Sequence, residues 1–155
     1  MEIHKIAVVG SREYPLRSAV EEFVGRLNPL TNVLISGGAR GVDQWAAEAA
    51  RERNIRVVEY RPNYKKYGRG APLRRNTEIV LGADSVAAFW DGTSRGTWDT
   101  IRKSIRKGLV TMTVGPDGFI IPGLTFTEEM AQEVREAQTA AMHQMASSLK
   151  EKTRG

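Results

Sequence analysis

The chain has 155 residues, a length that fits one ordinary domain. Hydrophobic residues make up 41% and charged residues 26%, which is typical of a globular protein and excludes a disordered or fibrous one. Cysteine is absent and histidine occurs only twice, so a disulfide framework, a thiolate metal site and a cysteine nucleophile are excluded. The net charge of +5 indicates an anionic partner.

The sequence gives no indication of a membrane or of export. No apolar run is long enough to cross a hydrocarbon core of about 30 Å. The first residues, Met1 to Lys5, lack the apolar core of a signal peptide. We therefore expect a cytoplasmic protein with no membrane partner. With so few histidines and no cysteines, we expect neither a metal nor a cofactor.

Short apolar runs alternate with helical periodicity along the first 114 residues. Runs rich in β-branched residues predict strands at 3–9, 33–36, 55–60, 84–90 and 109–114. Apolar spacing predicts helices at 16–27, 43–53, 72–81 and 98–107, and residues 61–71 are predicted to be a polar loop. This alternation predicts a Rossmann-like, doubly wound α/β domain at 1–114, with a mostly parallel sheet of about five strands and helices on both faces.

Residues 115–155 depart from this alternation. Residues 115–118 predict a turn, after which 119–121 pair back on the fifth strand. Thr125 and Glu128 form a capping box that predicts a helix to about residue 150. Its narrow apolar stripe is expected either to pack on the domain or to form a seam with a second copy: Met130, Val134, Ala137, Ala141 and Met145.

Polar, glycine-containing loops follow four of the predicted strands. In a parallel sheet such loops lie at the carboxyl ends of the strands, where ligands bind. Loop 1 is Gly10-Ser11-Arg12, in which a glycine permits close approach and Ser11 and Arg12 can donate hydrogen bonds to phosphate. Taken alone this loop is a weak signal, since many tight turns contain Gly-Ser.

Loop 2 follows the second strand and opens a helix. Its three glycines predict a nest of N–H groups beside the positive end of a helix dipole, which is an anion site. The pattern is neither Walker A nor GxGxxG, so ATPase and NAD-dependent activities lose support. The alternative to a phosphate site is a purely structural turn. Asp43 would either cap the helix or accept hydrogen bonds from ribose hydroxyls. The candidate residues are Ser36, Gly37, Gly38, Ala39, Arg40, Gly41 and Asp43.

Loop 3 (residues 61–75) carries six cations, no acid, and the aromatic residues Tyr64 and Tyr67. Aromatic residues beside cations suit base stacking and phosphate contact, and a solvated basic loop is the alternative. Arg75 and Asn76 fall in the first helical turns, where a cation gains nothing from the helix dipole. An anionic ligand explains their placement better.

Loop 4 combines small hydroxyl residues with glycines ahead of a helix, which predicts another phosphate-binding concavity. Thr97 as an N-cap is the structural alternative and is compatible with binding. The candidate residues are Asp91, Gly92, Thr93, Ser94, Gly96 and Thr97.

In this order the four motifs resemble the SLOG superfamily, the Rossmann-like group of the Smf/DprA and LOG proteins. The motifs are GSR at loop 1, ISGGARGVD at 35–43, YGRGAPLRRN at 67–76 and FWDGTSRGT at 89–97. Its small YspA-like branch, the YAcAr family, is the most similar. The resemblance covers about 3–114 and leaves the C-terminal helix outside. Because this branch occurs in bacteria and phages, it implies a bacterial cytoplasm, or the host cytoplasm for a phage protein.

The resemblance implies a nucleotide-derived ligand held by these loops. Some relatives cleave the N-glycosidic bond of nucleoside monophosphates, and others sense ADP-ribose-type signals in antiphage defence. The hydrolases use an arginine that matches Arg75 and a glutamate that aligns on Thr100, with Asp99 one residue earlier. Because a threonine cannot supply a carboxylate, the departure favours a sensor or sequestering protein for an ADP-ribose-like or cyclic nucleotide.

Two other functions stay open from the sequence. An N-glycosidase would use Arg75 with Asp99 in place of the missing glutamate. DprA-like single-stranded DNA binding is suggested by the basic, tyrosine-containing loop 3 and the positive net charge. We rank nucleotide binding first, hydrolysis second and DNA binding third.

Overall fold

The computed structural model of the protein describes residues 2–154, in which five strands alternate with helices. The strands are β1 (His4–Gly10), β2 (Asn32–Ser36), β3 (Arg56–Glu59), β4 (Ser85–Phe89) and β5 (Val110–Val114). The helices are α1 (Arg17–Gly25), α2 (Val42–Glu52), α3 (Tyr64–Tyr67), α4 (Ala71–Gly82), α5 (Arg95–Lys107) and α6 (Glu128–Arg154). None of these helices is both long and apolar enough to cross a membrane.

The strands form one parallel sheet in the order β3-β2-β1-β4-β5. The chain builds outward from β1 to one edge and then returns to add β4 and β5 on the other side. The order therefore reverses between β1 and β4, where Gly10 is in register with Phe89. The predicted Rossmann-like α/β fold is confirmed, and this reversal is where such sheets bind ligands.

The sheet is covered on both faces because successive side chains of a strand point to opposite sides. Val8 and Phe89 pack with α1 and α2, for example against Val20 and Ala46. Val9 and its neighbours on β4 pack on the other face with α4 and α5, for example Ile79 and Ile101. The helices are thereby fixed on the sheet, and their N-termini lie at its carboxyl edge.

The segment predicted as a polar loop at 61–71 is partly helical. It contains the single-turn helix α3, followed by a 3-10 turn at Gly68–Gly70. Asn63 caps α3, since its side-chain oxygen accepts a hydrogen bond from the Lys66 amide at 3.1 Å. Apolar periodicity could not reveal this helix because none of its residues is buried.

The segment after β5 covers that edge of the sheet. Val114 pairs antiparallel with Ile120, as predicted for residues 119–121, and Thr111 also pairs antiparallel with Phe126. The predicted capping box at Thr125 is wrong. Thr127 caps α6 by accepting from the Met130 amide at 3.2 Å, whereas the Thr125 hydroxyl donates to the Ile121 carbonyl at 2.8 Å.

Helix α6 does not pack on the domain beyond its first turn. Ala131 is its buried residue, and every residue from 132 to 154 is exposed. The first alternative for the apolar stripe, packing on the domain, is therefore wrong. The other alternative, a contact with a second copy, stays a prediction.

Candidate functional site

The four predicted loops meet at one cleft of about 340 Å³, at the point where the strand order reverses. Loops 1 and 2 supply one wall, and loop 4 with the start of α5 supplies the other. The first turns of α4, which include Arg75, close the remaining side. Separate turns that are distant in sequence thus form a single concave surface, as the strand–helix alternation predicts.

The cleft takes in about half of the candidate residues. Those that line it are Gly10, Arg12, Ala39, Asp43, Arg75, Asn76, Asp91, Ser94, Gly96 and Thr97. Those that lie outside its lining are Ser11, Ser36, Gly37, Gly38, Arg40, Gly41, Gly92 and Thr93. Most of the residues outside the cleft lining belong to loop 2, which the sequence predicts to be an anion site.

The amides of loop 2 are bonded to side chains of the same loop. The Asp43 carboxylate accepts from the Ala39 amide at 3.3 Å, and also from the Gly10 amide at 3.2 Å. The Ser36 hydroxyl accepts from the Gly38 amide at 3.2 Å. The predicted nest of free N–H groups in loop 2 is therefore wrong for these amides, because a built-in carboxylate already fills the position of an anion.

Close packing explains two of the three glycines of loop 2, and a φ of +73° explains Gly38. A Cβ at Gly37 would lie 2.7 Å from Asp43 Oδ2 and 2.8 Å from Arg75 Nη1. Gly41 has a φ of +80°, and a Cβ there would lie 2.6 Å from the Arg12 carbonyl oxygen. Loop 2 is thus pressed against loop 1 on one side and against Arg75 on the other.

Burial raises the pKa of Asp43 to about 6. The hydrogen bond from the Ala39 amide, the charge of Arg75 and the bond from the Gly10 amide oppose this rise. Removal from water therefore outweighs all the groups that favour the charged form. Asp43 acts as the internal anchor of loops 1 and 2, and both of its oxygens have backbone partners.

Arg75 is held at the edge of the cleft by two acceptors. Its Nη1 donates to the Gly37 carbonyl, and its Nε donates to Asn76 Oδ1 at 3.1 Å. Among residues 2–154, no hydrogen-bond partner occurs for its Nη2. Burial lowers the pKa of Arg75, and Asp43 opposes this effect. The guanidinium is oriented and partly desolvated, a setting that strengthens its bonds to an anion.

Asn76 links Arg75 to α5. Its Nδ2 donates to the Gly96 carbonyl and to Asp99 Oδ2, both at 3.2 Å, while its Oδ1 accepts from Arg75. All the polar atoms of Asn76 therefore have partners within the protein. Asn76 therefore serves to position Arg75.

Asp99 lies behind the cleft wall. Its Oδ2 is 2.7 Å from Lys103 Nζ, and its Oδ1 is 3.4 Å from Arg102. Asp99 does not line the cleft, whereas its neighbour Thr100 does. The conditional role of Asp99 as a catalytic carboxylate is therefore not supported by its position.

Loop 4 closes on itself and leaves the start of α5 open. Asp91 Oδ1 accepts from the amides of Thr93 at 2.9 Å and Ser94 at 2.8 Å, which explains why Thr93 stays outside the cleft. Ser94 caps α5 through the Thr97 amide at 3.5 Å. A Cβ at Gly96 would meet nothing within 4 Å, so this glycine presents open backbone to the cleft.

Loops 1 and 4 are tied together by the Ser11 hydroxyl. It accepts from the Asp91 amide at 3.1 Å and lies 3.3 Å from Thr97 Oγ1. Ser11 is almost fully buried, so it joins the two loops instead of facing a ligand. Trp90 and Trp98, which flank loop 4, stack with 5.6 Å between their ring centroids.

A family model described as "YspA, cpYpsA-related SLOG family" (YAcAr) matches residues 4–67. This match confirms the resemblance to the YspA-related SLOG proteins. The matched residues include loops 1 and 2, and end before Arg75 and loop 4. No curated protein matches the chain.

Solved structures share the fold of this chain. The structural-genomics target TM1055 is 22% identical, with a TM-score of 0.60 over 70% of this chain and 72% of that one. DprA from Streptococcus pneumoniae is 19% identical, with a TM-score of 0.64 over 87% of this chain and 56% of its own. DNA processing protein A from Helicobacter pylori is 19% identical, with a TM-score of 0.57 over 73% and 66%. The chain therefore spans two thirds or less of each of the two DprA chains.

The cleft also contains residues that the sequence did not indicate. Val9, Pro72, Leu73 and Ile79 give it an apolar side, and Glu13 adds an exposed carboxylate. Glu13 directly follows Arg12 at the exit of β1, so its position in the motif was the available signal. Within residues 2–154, no group of three histidine or carboxylate side chains is arranged to hold a metal ion.

Proposed function

We propose that the cleft binds a phosphorylated nucleotide derivative and that the protein senses or sequesters this ligand. The observation that carries the proposal is the environment of Arg75. Its guanidinium is fixed by the Gly37 carbonyl and Asn76, is partly buried, and borders a cleft at the sheet's switch point. A desolvated, oriented arginine forms charge-assisted bonds to phosphate at little further entropic cost.

The two sides of the cleft suit the two parts of a nucleotide. Arg12, Arg75 and the N-terminal turn of α5 at Gly96 provide cationic and N–H groups for phosphate. Leu73 and the half-buried Pro72 provide an apolar surface for a base. A volume of about 340 Å³ lies at the lower end of the range for small-molecule sites. This division favours an ADP-ribose-like or cyclic nucleotide over a simple inorganic anion.

Binding is favoured over N-glycosidic cleavage because the carboxylate that the resembled hydrolases use is missing from its place in the cleft. Thr100 stands where the hydrolases resembled by this chain carry glutamate, and Asp99 is bonded to Lys103 away from the cleft. Glu13 is the one exposed carboxylate in the described lining, and it is the residue a hydrolase would use. Release of free base from a nucleotide panel by the wild type, with loss in Glu13→Gln, would replace the binding proposal by hydrolysis.

The test compares Arg75→Ala with Arg74→Ala in calorimetric titrations with AMP, ADP and ADP-ribose. Arg74 is the matched control, because it neighbours Arg75 but lies over the Tyr67 ring and outside the cleft lining. Loss of a charge-assisted hydrogen bond costs roughly 1.5–3 kcal/mol, so Arg75→Ala should weaken the best ligand by about tenfold to a hundredfold.

We expect Arg74→Ala to bind nearly as the wild type does. Thermal unfolding of each variant establishes that the fold is retained, since Arg75 also bonds the Gly37 carbonyl. Equal affinities for the wild type and Arg75→Ala, or equal losses in the two variants, would contradict the assignment of the phosphate site to Arg75.

Single-stranded DNA binding is the second candidate function. The Helicobacter pylori structure is described by its single-stranded DNA binding mode, and that protein shares this fold. In this chain Tyr64 is 60% exposed and is followed by the exposed cations Lys65 and Lys66. An exposed aromatic ring beside cations is a stacking platform for a base.

Fluorescence anisotropy with a labelled oligothymidylate tests this candidate. DNA binding through several phosphates predicts an affinity that falls steeply with salt and weakens in Tyr64→Ala. A salt-insensitive signal, or none, contradicts it. Arg75→Ala distinguishes the two functions, because the cleft ligand depends on Arg75 while a strand bound along α3 does not.

A further inference from the structure

Helix α6 contributes no residue to the cleft. This helix has 27 residues, corresponding to about 40 Å, and the protein buries only Ala131 of it. Helices in proteins gain most of their stability from packing an apolar face. A helix that projects this far without a packing partner within the chain is expected to find one elsewhere.

An apolar stripe runs along the exposed part of α6. Met130 and Val134 are 44% and 45% exposed, and Met145 is 66% exposed. Ala137 and Ala141 continue the stripe between them and are exposed as well. Met142 and Leu149, 69% and 59% exposed, widen it towards the C-terminal end. Exposed apolar side chains in line at helical spacing indicate a contact surface.

The positions on this face of α6 are symmetric about Ala141, with the exposed Ser148 extending the face beyond Met145. Val134 and Ala137 precede Ala141 by seven and four residues, and Met145 and Ser148 follow it by four and seven. Two copies of α6 that cross antiparallel at Ala141 would therefore bring Val134 opposite Ser148 and Ala137 opposite Met145. Large residues then meet small ones, which is the arrangement that interdigitates best.

The charges on α6 favour the antiparallel arrangement. Residues 128–136 contain four glutamates and one arginine, a net charge of −3. Residues 150–154 contain three cations and one glutamate, a net charge of +2. Glu133 and Glu136 lie beyond the first turn, so the helix dipole does not account for them. Antiparallel copies join opposite charges, whereas parallel copies would join −3 to −3.

We infer that α6 forms an antiparallel two-helix contact with a second copy of this chain, centred on Ala141. The contact leaves both clefts free, since α6 contributes no residue to the cleft lining. It is independent of the nucleotide proposal and can fail or hold without it. The protein is accordingly a homodimer joined through its C-terminal helices.

The first test is the mass of the full chain in solution, measured by light scattering across a wide range of concentration. The wild type is expected to be a dimer. Ala141→Glu places a charge at the centre of the contact and should raise the dimer dissociation constant by at least about tenfold. Ala140→Glu is the matched control, because the same change lies about 100° around the helix.

Far-UV circular dichroism of both variants checks that the helix is retained, as alanine and glutamate are both good helix formers. A wild type that stays monomeric at every concentration overturns the inference and assigns the stripe to another partner. Equal effects of Ala140→Glu and Ala141→Glu also overturn it.

Cysteine cross-linking tests the direction of the helices, and the absence of natural cysteine makes every link assignable. The double variant Val134→Cys/Ser148→Cys should form a disulfide-linked dimer under mild oxidation. Val134→Cys alone should not, because antiparallel copies separate the two positions by about 20 Å, beyond disulfide reach. Efficient linking of the single variant would indicate parallel helices and overturn the antiparallel contact.

Discussion

Loops 2 and 4 look alike in the sequence, since each places glycines ahead of a helix at the carboxyl edge of the sheet. In loop 2 the Asp43 carboxylate and the Ser36 hydroxyl turn back onto the amides of the loop. In loop 4 the Asp91 carboxylate accepts from the amides of Thr93 and Ser94, which precede α5. It leaves Gly96, in the first turn of α5, open to the cleft. The difference lies in which amides the loop's own acid reaches.

Loops 2 and 4 therefore use a glycine-rich helix start in two physically different ways. In loop 2 glycine allows backbones to approach closely, as at Gly41 against the Arg12 carbonyl. In loop 4 Gly96 has free space around its Cα, and the cap is supplied by Ser94. Loop 2 is therefore a packing device that shapes the cleft, and the start of α5 is the better candidate for a phosphate contact.

Gly41→Ala should show the largest effect, because it tests the packing use of loop 2 directly. The new Cβ would lie 2.6 Å from the Arg12 carbonyl oxygen, at a φ of +80°. Left-handed strain and overpacking together are expected to lower the free energy of unfolding by about 2–5 kcal/mol in urea denaturation.

Gly92→Ala is the control for this substitution, since Gly92 has a φ of +90° but nothing within 4 Å of its Cβ position. It should lose only the strain, about 1–2 kcal/mol. Equal losses in the two variants would show that close approach is not what loop 2 requires of its glycine.

The acids of the two loops should give opposite pH dependence. Burial raises the pKa of Asp43 to about 6, above its unfolded value of about 3.9, so the folded state holds a proton that the unfolded chain releases. Its contribution to stability is therefore full below about pH 4 and falls as the pH rises to about 6, by on the order of 3 kcal/mol. Denaturation of wild type and Asp43→Asn from pH 4 to 8 measures the difference.

Asp91 provides the comparison of opposite sign. Burial raises its pKa, but the hydrogen bonds from Thr93, Ser94 and Ser11 together lower it below the ordinary value. Its contribution should therefore be present above the unfolded pKa and be lost as the pH falls below about 4. Measured from about pH 2 to 6, the difference between wild type and Asp91→Asn should grow as the pH rises to about 4, whereas that for Asp43→Asn shrinks between about pH 4 and 6. Parallel curves for the two variants would contradict the distinction between the loops.

The fold could be predicted because its strands and its longer helices have local signatures. The β-branched runs predict the five strands, and parallel strands necessarily bring their carboxyl-end loops to one edge. Local patterns therefore sufficed to bring Gly10, Asp43, Arg75 and Thr97 to one cleft. The short helix α3 could not be predicted in this way because no residue in it is buried.

The hydrogen bonding of the cleft could not be predicted from local patterns. Asp43 bonds to the Gly10 amide across 33 residues of sequence, and Asn76 bonds to Asp99 across 23. A motif shows which donors are present but not which of them the protein satisfies itself. The same limit applies to α6, whose apolar stripe is compatible with packing inside the chain or between chains.

Gly96→Ala should have the smallest effect on stability. It should also separate a change in stability from a change in nucleotide affinity. Gly96 lies in the first turn of α5 with nothing within 4 Å of its Cβ position, so alanine should stabilise the helix by about 0.5–1 kcal/mol. The thermal midpoint of the ligand-free protein should rise by about 2–3 °C. The same methyl group faces the cleft, where it would hold a phosphate away from the α5 amides, so nucleotide affinity should fall as stability rises. A variant that gains stability and binds as the wild type does would show that the phosphate does not contact α5. Gly41→Ala cannot separate stability from affinity in this way, because it disturbs the fold itself.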